Sequence, residues 1–197
     1  MIEEAGWTRL ALGADVVQML LPHRRPFLLV DAVDAIALGD KPMLRARKLV
    51  SANEPVFDGH FPGLSLWPGV YTIEGLGQTT NILDVVLGVL EGARAEKIGP
   101  EAVLEGLRAL EKRSRPGVVA SVSAEQERLL RALGTTRARI GLAGAIDVKL
   151  IEPVLAGTTL EYRVTRTHVV ANARRYEVEA RVADRPVARG TLSSAVS

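Results

Sequence analysis

The sequence has no cysteine, only three histidines and few aromatic residues. Without cysteine, the protein cannot contain a disulfide framework, a thiolate metal site or a cysteine nucleophile. Three histidines disfavour a multi-histidine zinc site, and an aromatic content of 4% disfavours a surface that stacks nucleic-acid bases. The composition therefore excludes thiol chemistry and disfavours zinc and nucleic-acid sites.

An excess of charge of one sign is also missing, because 25 basic and 23 acidic residues give a formal net charge of +2. Such a balance does not indicate a nucleic-acid partner. The first residues are acidic, unlike the basic start of a signal peptide. The most apolar stretch, residues 82–90, contains Asp84 and is too short to cross a membrane. We expect a globular cytoplasmic protein without membrane insertion.

The apolar pattern divides the chain into strand-like and helix-like segments. Residues 27–38 predict a strand, and residues 43–50 predict its hairpin partner after a Gly–Asp turn. Proline and glycine interrupt residues 51–69, whereas residues 70–90 are mostly apolar and predict a helix buried on most sides. In the last third, apolar and polar residues alternate, which predicts antiparallel strands with one covered side. We predict an α+β fold, with an antiparallel sheet wrapped around a long central helix.

Residues 91–141 do not fit this plan. A helical pattern begins at Pro100, and the apolar residues that share one of its faces are Val103, Leu104, Leu107 and Leu110. After a break, Ser123 and Gln126 have the spacing of a capping box ahead of a second leucine-rich helix. We interpret residues 1–197 as a single domain in which residues 91–141 form an inserted helical hairpin.

His60 lies in the proline- and glycine-rich loop, between Gly59 and Phe61. An imidazole changes its charge near neutral pH, so His60 is a candidate general base. The apolar rings of Phe61 and Trp67 are candidates for excluding water from it. The alternative is a histidine that only hydrogen-bonds its own loop.

Glu74 stands near the start of the apolar helix, where a carboxylate is costly unless it is paired or protonated. Burial disfavours the charged form, so Glu74 is a candidate acid. Gln78 follows one turn later on the same face and is placed to orient it. The alternative is a structural glutamate tied to His60 or to the backbone.

Pro68 and Gly69 precede the same helix, and free N–H groups at a helix start stabilise developing negative charge. Gly69 would let a ligand approach the backbone closely, or would simply serve the turn. A base, an acid and such an N–H donor together suit the removal of a proton next to a carbonyl.

Three segments together resemble one known family. Residues 21–31 read LPHRRPFLLVD, residues 53–63 read NEPVFDGHFPG, and Pro–Gly–Val follows at 68–70, ahead of Glu74 and Gln78. In order and spacing, these residues resemble the (3R)-hydroxyacyl-[acyl carrier protein] dehydratases of fatty acid synthesis.

The resemblance implies a hot-dog fold and a homodimer with its active site between two subunits, and larger assemblies such as a trimer of dimers are common in that family. It implies that His60 is the catalytic base and that Glu74 of the other subunit is the acid. The N–H of Gly69 or Val70 would hold the thioester carbonyl. No metal or redox cofactor is implied, and the substrate arrives on the phosphopantetheine arm of an acyl carrier protein. The substrate-binding residues by this resemblance are Gly69, Val70, Phe61 and Gln78.

On this basis we expect a dehydratase that converts a (3R)-3-hydroxyacyl thioester to a trans-2-enoyl thioester, in fatty acid or related acyl or polyketide synthesis. The branch of the family that also isomerises the double bond usually has Asp at the position of Glu74. One alternative is a non-catalytic hot-dog subunit that binds acyl carrier protein or supports an active partner; the retention of both His60 and Glu74 argues against it. Another is a hot-dog thioesterase, which needs an activated water rather than a base aimed at C2.

Four residues near the motif depart from the family's usual ones. Gly75 and Gly77 stand where alanine is usual, and would allow closer packing or a wider acyl tunnel. Trp67 and Tyr71 are bulkier than expected and would narrow such a tunnel.

The basic residues also differ from the family's pattern. The family's basic cluster at 149–152 is reduced to Lys149, which puts the usual docking surface for the acidic carrier protein in question. The insertion, residues 91–141, has basic residues of its own, which would offer a second docking surface. The alternative is that they form a solvated helical face or an extra subunit contact. We assign His23 a structural role and His168 to the surface. The basic residues of the insertion that would serve docking are Arg108, Lys112, Arg113, Arg115, Arg128, Arg131, Arg137 and Arg139.

Overall fold

The computed structural model describes residues 6–113, 128–129, 131–133 and 141–196. A 3-10 turn covers Pro55–Asp58. The helices of the described ranges include α1 (Ala14–Leu20), α2 (Gly69–Ala95) and α3 (Pro100–Arg113). The strands are β1 (Thr8–Leu12), β2 (Ala32–Ala37), β3 (Met43–Val50), β4 (Leu66–Trp67), β5 (Gly141–Leu150), β6 (Val154–Leu155), β7 (Thr158–Val170), β8 (Ala173–Val182) and β9 (Arg185–Val196).

Seven strands form one antiparallel sheet in the order β1-β2-β3-β7-β8-β9-β5, and β4 pairs with β6 in a separate two-stranded ribbon. Helix α2 contacts β3, β5, β7, β8 and β9, so the sheet wraps around it. This arrangement confirms the predicted α+β, hot-dog architecture. None of the helices in the described ranges is both long enough and apolar enough to cross a membrane.

The core lies between α2 and the sheet. Leu76, Ile82 and Leu83 of α2 have no exposed surface, and neither do Leu160 and Tyr162 of β7. Burying one large aliphatic side chain contributes about 1.5–3 kcal/mol. The apolar run of α2 is therefore explained by packing against the sheet.

The first predicted strand is shorter than expected, because β2 begins only at Ala32. Leu28, Leu29 and Val30 are buried, but they lie outside the sheet. The N–H of Leu29 donates to the side chain of Gln78 on α2 at 2.8 Å, so this segment binds the helix rather than a neighbouring strand. Strand β1 is not among the predicted strands; only two buried leucines, Leu10 and Leu12, mark it.

Strand β5 was expected to have a covered apolar side, and within one chain that side is covered only in part. Val148 packs against the core, whereas Ile146 and Leu150 are 57% and 49% exposed. Strand β5 is an edge strand, and in the described part of the chain it pairs with β9 alone. An apolar edge strand of this length is an available surface for another chain.

Helix α3 packs its apolar face against the rest of the fold, in contact with β1, α1 and α2. Arg108 donates to the backbone carbonyl of Arg9, and Glu111 accepts the N–H of Gly13 at 2.7 Å. Residues 128–129 and 131–133 are helical. Residues 114–127, with the predicted capping box, lie outside the described residues, so the insertion stays a prediction. The four apolar residues predicted to share a face of α3 are all buried: Val103, Leu104, Leu107 and Leu110.

Candidate active site

The loop that follows β3 presents His60. The N–H of His60 donates to the carbonyl of Val56 at 3.0 Å, and its side-chain Nδ1 lies 2.9 Å from the carbonyl oxygen of Leu66. Because a carbonyl can only accept, Nδ1 must carry the proton. Nε2 then keeps its lone pair, which is the form that a general base requires. The peptide bond from His60 to Phe61 is cis.

A buried ion cluster ties this loop to the sheet. Lys48 has a side chain only 6% exposed, and its ammonium contacts the carboxylates of Asp31, at 3.2 Å, and of Glu54. Asp31 also accepts the N–H of Leu49 at 2.7 Å. Sequence reasoning missed this cluster. The available signal was Lys48 at an inward position of β3, in register with the buried Leu44 and Ala46.

Helix α2 presents Glu74, whose Oε1 accepts a hydrogen bond from Gln78 Nε2 at 3.0 Å. The orientation of Gln78 is fixed by the backbone, because Nε2 also donates to the carbonyl of Phe27 and Oε1 accepts the N–H of Leu29, each at 2.8 Å. Gln78 is 1% exposed. The polar atoms of Gln78 are thus all hydrogen-bonded within the chain, and one of these bonds goes to Glu74.

Glu74 is less buried than the sequence suggested, since its side chain is 35% exposed. His23 lies beside it, with Nε2 3.6 Å from Glu74 Oε1. The Nδ1 of His23 is buried and has no hydrogen-bond partner in the described part of the chain. The sequence assignment of His23 to a structural role therefore missed its position next to the candidate acid. Its place in the opening motif was the available signal.

Glu74 and His23 line one end of a cavity of about 1200 Å³ that extends along α2. Gly77 also lines this cavity, and a Cβ added there would meet no atom within 4 Å. A Cβ at Gly75 would instead lie 2.3 Å from the hydroxyl of Tyr162. The two glycines thus have different structural effects. Gly75 makes room for Tyr162 of the sheet, and Gly77 leaves space in the cavity.

The start of α2 places Gly69 and Val70 before Tyr71, whose N–H bonds back to Pro68. The first N–H groups of a helix lack intrahelical acceptors, so those of Gly69 and Val70 are the available donors. A Cβ at Gly69 would lie 2.3 Å from Leu150 Cδ1. The side chain of Leu150 on β5 therefore occupies the space that a side chain at Gly69 would take.

The aromatic residues around the loop have two different surroundings. The ring of Phe61 is stacked on His60 with centroids 4.2 Å apart, and Phe61 is 49% exposed. Trp67 is buried and meets Tyr71 edge-on at 5.4 Å. Neither Trp67 nor Tyr71 lines the cavity, so the predicted narrowing of an acyl tunnel is not seen there.

The structure brings Glu74, Gln78 and His23 together, but it does not add His60 to them. Within the described ranges, no hydrogen bond or ion pair joins His60 to Glu74, and His60 does not line the cavity. Large apolar side chains near these groups are exposed: Phe61, Leu64, Val70 and Leu150. Within the described part of one chain, the candidate base and the candidate acid are therefore not in direct polar contact.

The remaining candidates lie away from this site. His168 and Lys149 are exposed. Arg108 is engaged by Glu101, Glu105 and the backbone, so it is not a freely available docking charge. Arg128 and Arg131 lie in the short helical segment and are exposed. The side chains of Lys112 and Arg113, and the whole of Arg115, Arg137 and Arg139, lie outside what the structure describes.

The sequence is similar to one family of known proteins. The FabA-like domain matches residues 21–106. The chain is 37% identical over 132 residues to the 3-hydroxyacyl-[acyl-carrier-protein] dehydratase FabZ of Chloroflexus aggregans, covering 67% of this chain and 87% of that protein. It is 41% identical over 124 residues to the FabZ of Ruminiclostridium cellulolyticum, covering 63% of this chain and 81% of that protein.

Among solved structures, the chain is similar to the dehydratase heterocomplex ApeI:P from Xenorhabdus doucetiae. The TM-score is 0.55 at 15% identity, covering 92% of this chain and 90% of that one, which shows a shared fold. The identities and coverage of the FabZ proteins go further than the fold. The chain belongs to the 3-hydroxyacyl-[acyl-carrier-protein] dehydratase family.

Proposed function

We propose that the protein is a hydro-lyase that removes water from (3R)-3-hydroxyacyl chains on an acyl carrier protein and gives trans-2-enoyl chains, in fatty acid or related acyl or polyketide synthesis. The observation that carries this proposal is that two side chains are positioned for opposite proton transfers, one to accept a proton and the other to donate one. His60 has a free Nε2 because Nδ1 is bound to Leu66, and Glu74 has one carboxyl oxygen held by Gln78. The family relationship supports the same reaction.

We further propose that the working unit is a homodimer in which His60 meets Glu74 of the partner subunit. Three observations support this. His60 and Glu74 do not contact each other within the described chain. The apolar side chains of Phe61, beside His60, and of Val70 and Leu150, at the start of α2, are exposed. In the described part of the chain, edge strand β5 has an unpaired side that a second copy can extend. Larger assemblies and the cytoplasmic location stay predictions.

The reaction then proceeds by proton transfer alone. His60 Nε2 takes the proton on C2 of the thioester, and the electron pair of that C–H bond forms the C2–C3 double bond. The N–H of Gly69 or Val70 stabilises the negative charge that develops on the thioester oxygen. Glu74 protonates the hydroxyl on C3, the C3–O bond breaks with its electron pair, and water leaves. Return of the proton from His60 to Glu74 restores both groups.

The simplest test uses purified protein and a 3-hydroxybutyryl thioester. The proposal predicts enoyl absorbance without release of free thiol. Release of thiol without enoyl product would instead indicate a thioesterase. Absence of both products, with the carrier-bound substrate as well, would indicate a non-catalytic subunit and would contradict the proposal.

A further inference from the structure

A polar cluster lies along the same cavity, ten residues beyond Glu74 on α2, and the cavity continues past it to Pro100. Asp84 of α2 is contacted by Arg174 Nη1 at 3.0 Å and by Arg166 Nη1 at 3.4 Å, and the hydroxyl of Tyr176 donates to the same carboxylate. All four side chains line the cavity, together with Ser194. The proposed dehydration uses none of these groups.

The cluster carries more positive charge and more donors than its own carboxylate can satisfy. Desolvation raises the pKa of Asp84, even though Tyr176, Arg174 and Arg166 act in the opposite direction. Each guanidinium has five N–H donors, and the side-chain hydrogen bonds recorded for Arg166 and Arg174 within the described ranges all go to Asp84. The two arginine side chains are only 23% and 25% exposed. A carboxylate-sized anion would complete the cluster.

The cavity joins this cluster to the candidate acid. Asp84 follows Glu74 by ten residues, which is about 15 Å along a helix. Gly77 and Asn81 line the cavity between them. An extended polypeptide backbone advances about 1.2 Å per bond, and an extended acyl chain advances by about the same amount. About 12 bonds of an acyl chain therefore span this distance. In the proposed reaction Glu74 meets the hydroxyl on C3, so the remainder of the acyl chain starts next to it.

We propose that the Arg166–Arg174–Asp84–Tyr176 cluster binds an anionic group at the far end of the acyl chain, so that the preferred substrates are 3-hydroxyacyl chains ending in a carboxylate. This inference rests on the proposed function for the placement of C3. It does not rest on the reaction itself, because binding of the chain end is measured without turnover.

The test is calorimetric binding of two non-reactive analogues, the pantetheine amides of a dicarboxylic acid and of a monocarboxylic acid of equal length, over about fourteen to sixteen carbons, because about 12 bonds counted from C3 end near C15. The amide replaces the thioester, so the result is independent of dehydration. We expect the acid-terminated analogue to bind at least about tenfold more tightly than the methyl-terminated one, because hydrogen bonds to charged groups carry that much selectivity. Equal binding, or tighter binding of the methyl-terminated chain, would overturn the proposal.

Variants test whether the cluster causes the preference for the acid-terminated analogue. Arg166→Gln and Arg174→Gln should each reduce the preference about tenfold. Asp84→Asn removes the competing carboxylate and should increase the preference, which provides a second variant with the opposite expected sign if an arginine variant fails to fold. Arg175→Gln is the matched control, because Arg175 is the exposed neighbour of Arg174 on β8. A preference that persists in both arginine variants, or falls equally in Arg175→Gln, would contradict the assignment.

Discussion

The two sides of helix α2 differ in how tightly they are packed. The side that faces the sheet is closed, with Gly75 filled by the ring of Tyr162 and with Leu76, Ile82 and Leu83 fully buried. The side that faces the cavity is open, and besides apolar residues such as Ile73 and Leu87 it includes Glu74, Gly77, Asn81, Asp84, Gly88 and Glu91. One helix thus provides both the centre of the core and the wall of a site, and the residues that depart from an apolar pattern lie mostly on the open side.

The largest effects are expected where the open side carries chemistry. Glu74→Gln removes the proton donor, and His60→Asn removes the base, so each should lower kcat by about 10²–10⁴-fold. Steady-state kinetics with a carrier-bound 3-hydroxyacyl substrate measures this. His168→Asn, on the exposed part of β7, is the control and should retain wild-type kcat. Turnover within tenfold of wild type in Glu74→Gln or His60→Asn would remove these roles.

On the closed side, the buried ion cluster beneath the His60 loop should dominate stability. Lys48→Met leaves the carboxylates of Asp31 and Glu54 without their counter-charge, and loss of one partner of a buried pair costs about 3–5 kcal/mol. Urea unfolding measures the free energy. Arg47→Met is the matched control, because Arg47 precedes Lys48 on β3 and its side chain is half-exposed, so that its ion pair with Asp34 contributes about 0–1 kcal/mol. Equal losses in the two variants would show that burial of the cluster is not the cause.

Gly75 and Gly77 compare the two sides directly. Gly75→Ala places a methyl group against Tyr162, so it should destabilise the fold by about 1–3 kcal/mol. Gly77→Ala meets open space and should stabilise the helix by up to about 1 kcal/mol. Thermal or urea unfolding of the two variants provides the measurement. Effects of the same sign would contradict the difference between the closed and open sides.

The smallest expected effect is a dependence on pH at Asp84. Its pKa is raised in the folded protein by desolvation, so the folded state holds the proton more tightly than the unfolded state. Stability from this group is fully present below its unfolded pKa of about 3.8 and is lost as the pH rises through the folded pKa. Compared with Asp84→Asn, the wild type should therefore lose free energy of unfolding as the pH rises through this window. Parallel pH profiles would show that Asp84 titrates alike in both states.

Sequence reasoning reached the layout of the fold because period-two alternation and a long apolar segment report burial directly. Strand β3 lies where it was predicted, and α2 extends five residues beyond its predicted end at residue 90. The pattern could not distinguish a buried segment that binds a helix from a strand, which is why Leu28–Val30 were assigned to β2. It also could not show that the apolar face of β5 lies at an edge.

Only part of the candidate site could be predicted from the sequence. The motif identified His60, Glu74 and Gln78, because their types and spacing carry chemical meaning. The contact of His23 with Glu74 depends on how the chain turns after α1, and no spacing rule gives it. The cluster at Asp84 joins residues about ninety positions apart, so it appears only when β7 and β8 are folded against α2.

The central claim is that the base and the acid come from different subunits, and mixing two inactive variants tests it most directly. His60→Asn and Glu74→Gln are co-expressed, so that mixed dimers contain one site with both native groups. Random pairing should restore about a quarter of wild-type activity, since half of the dimers are mixed and each has one complete site. Co-expression of His60→Asn with the double variant is the control, because no complete site can form. Recovery in the first pair alone is the predicted result, and no recovery from well-mixed, folded dimers would contradict the shared site.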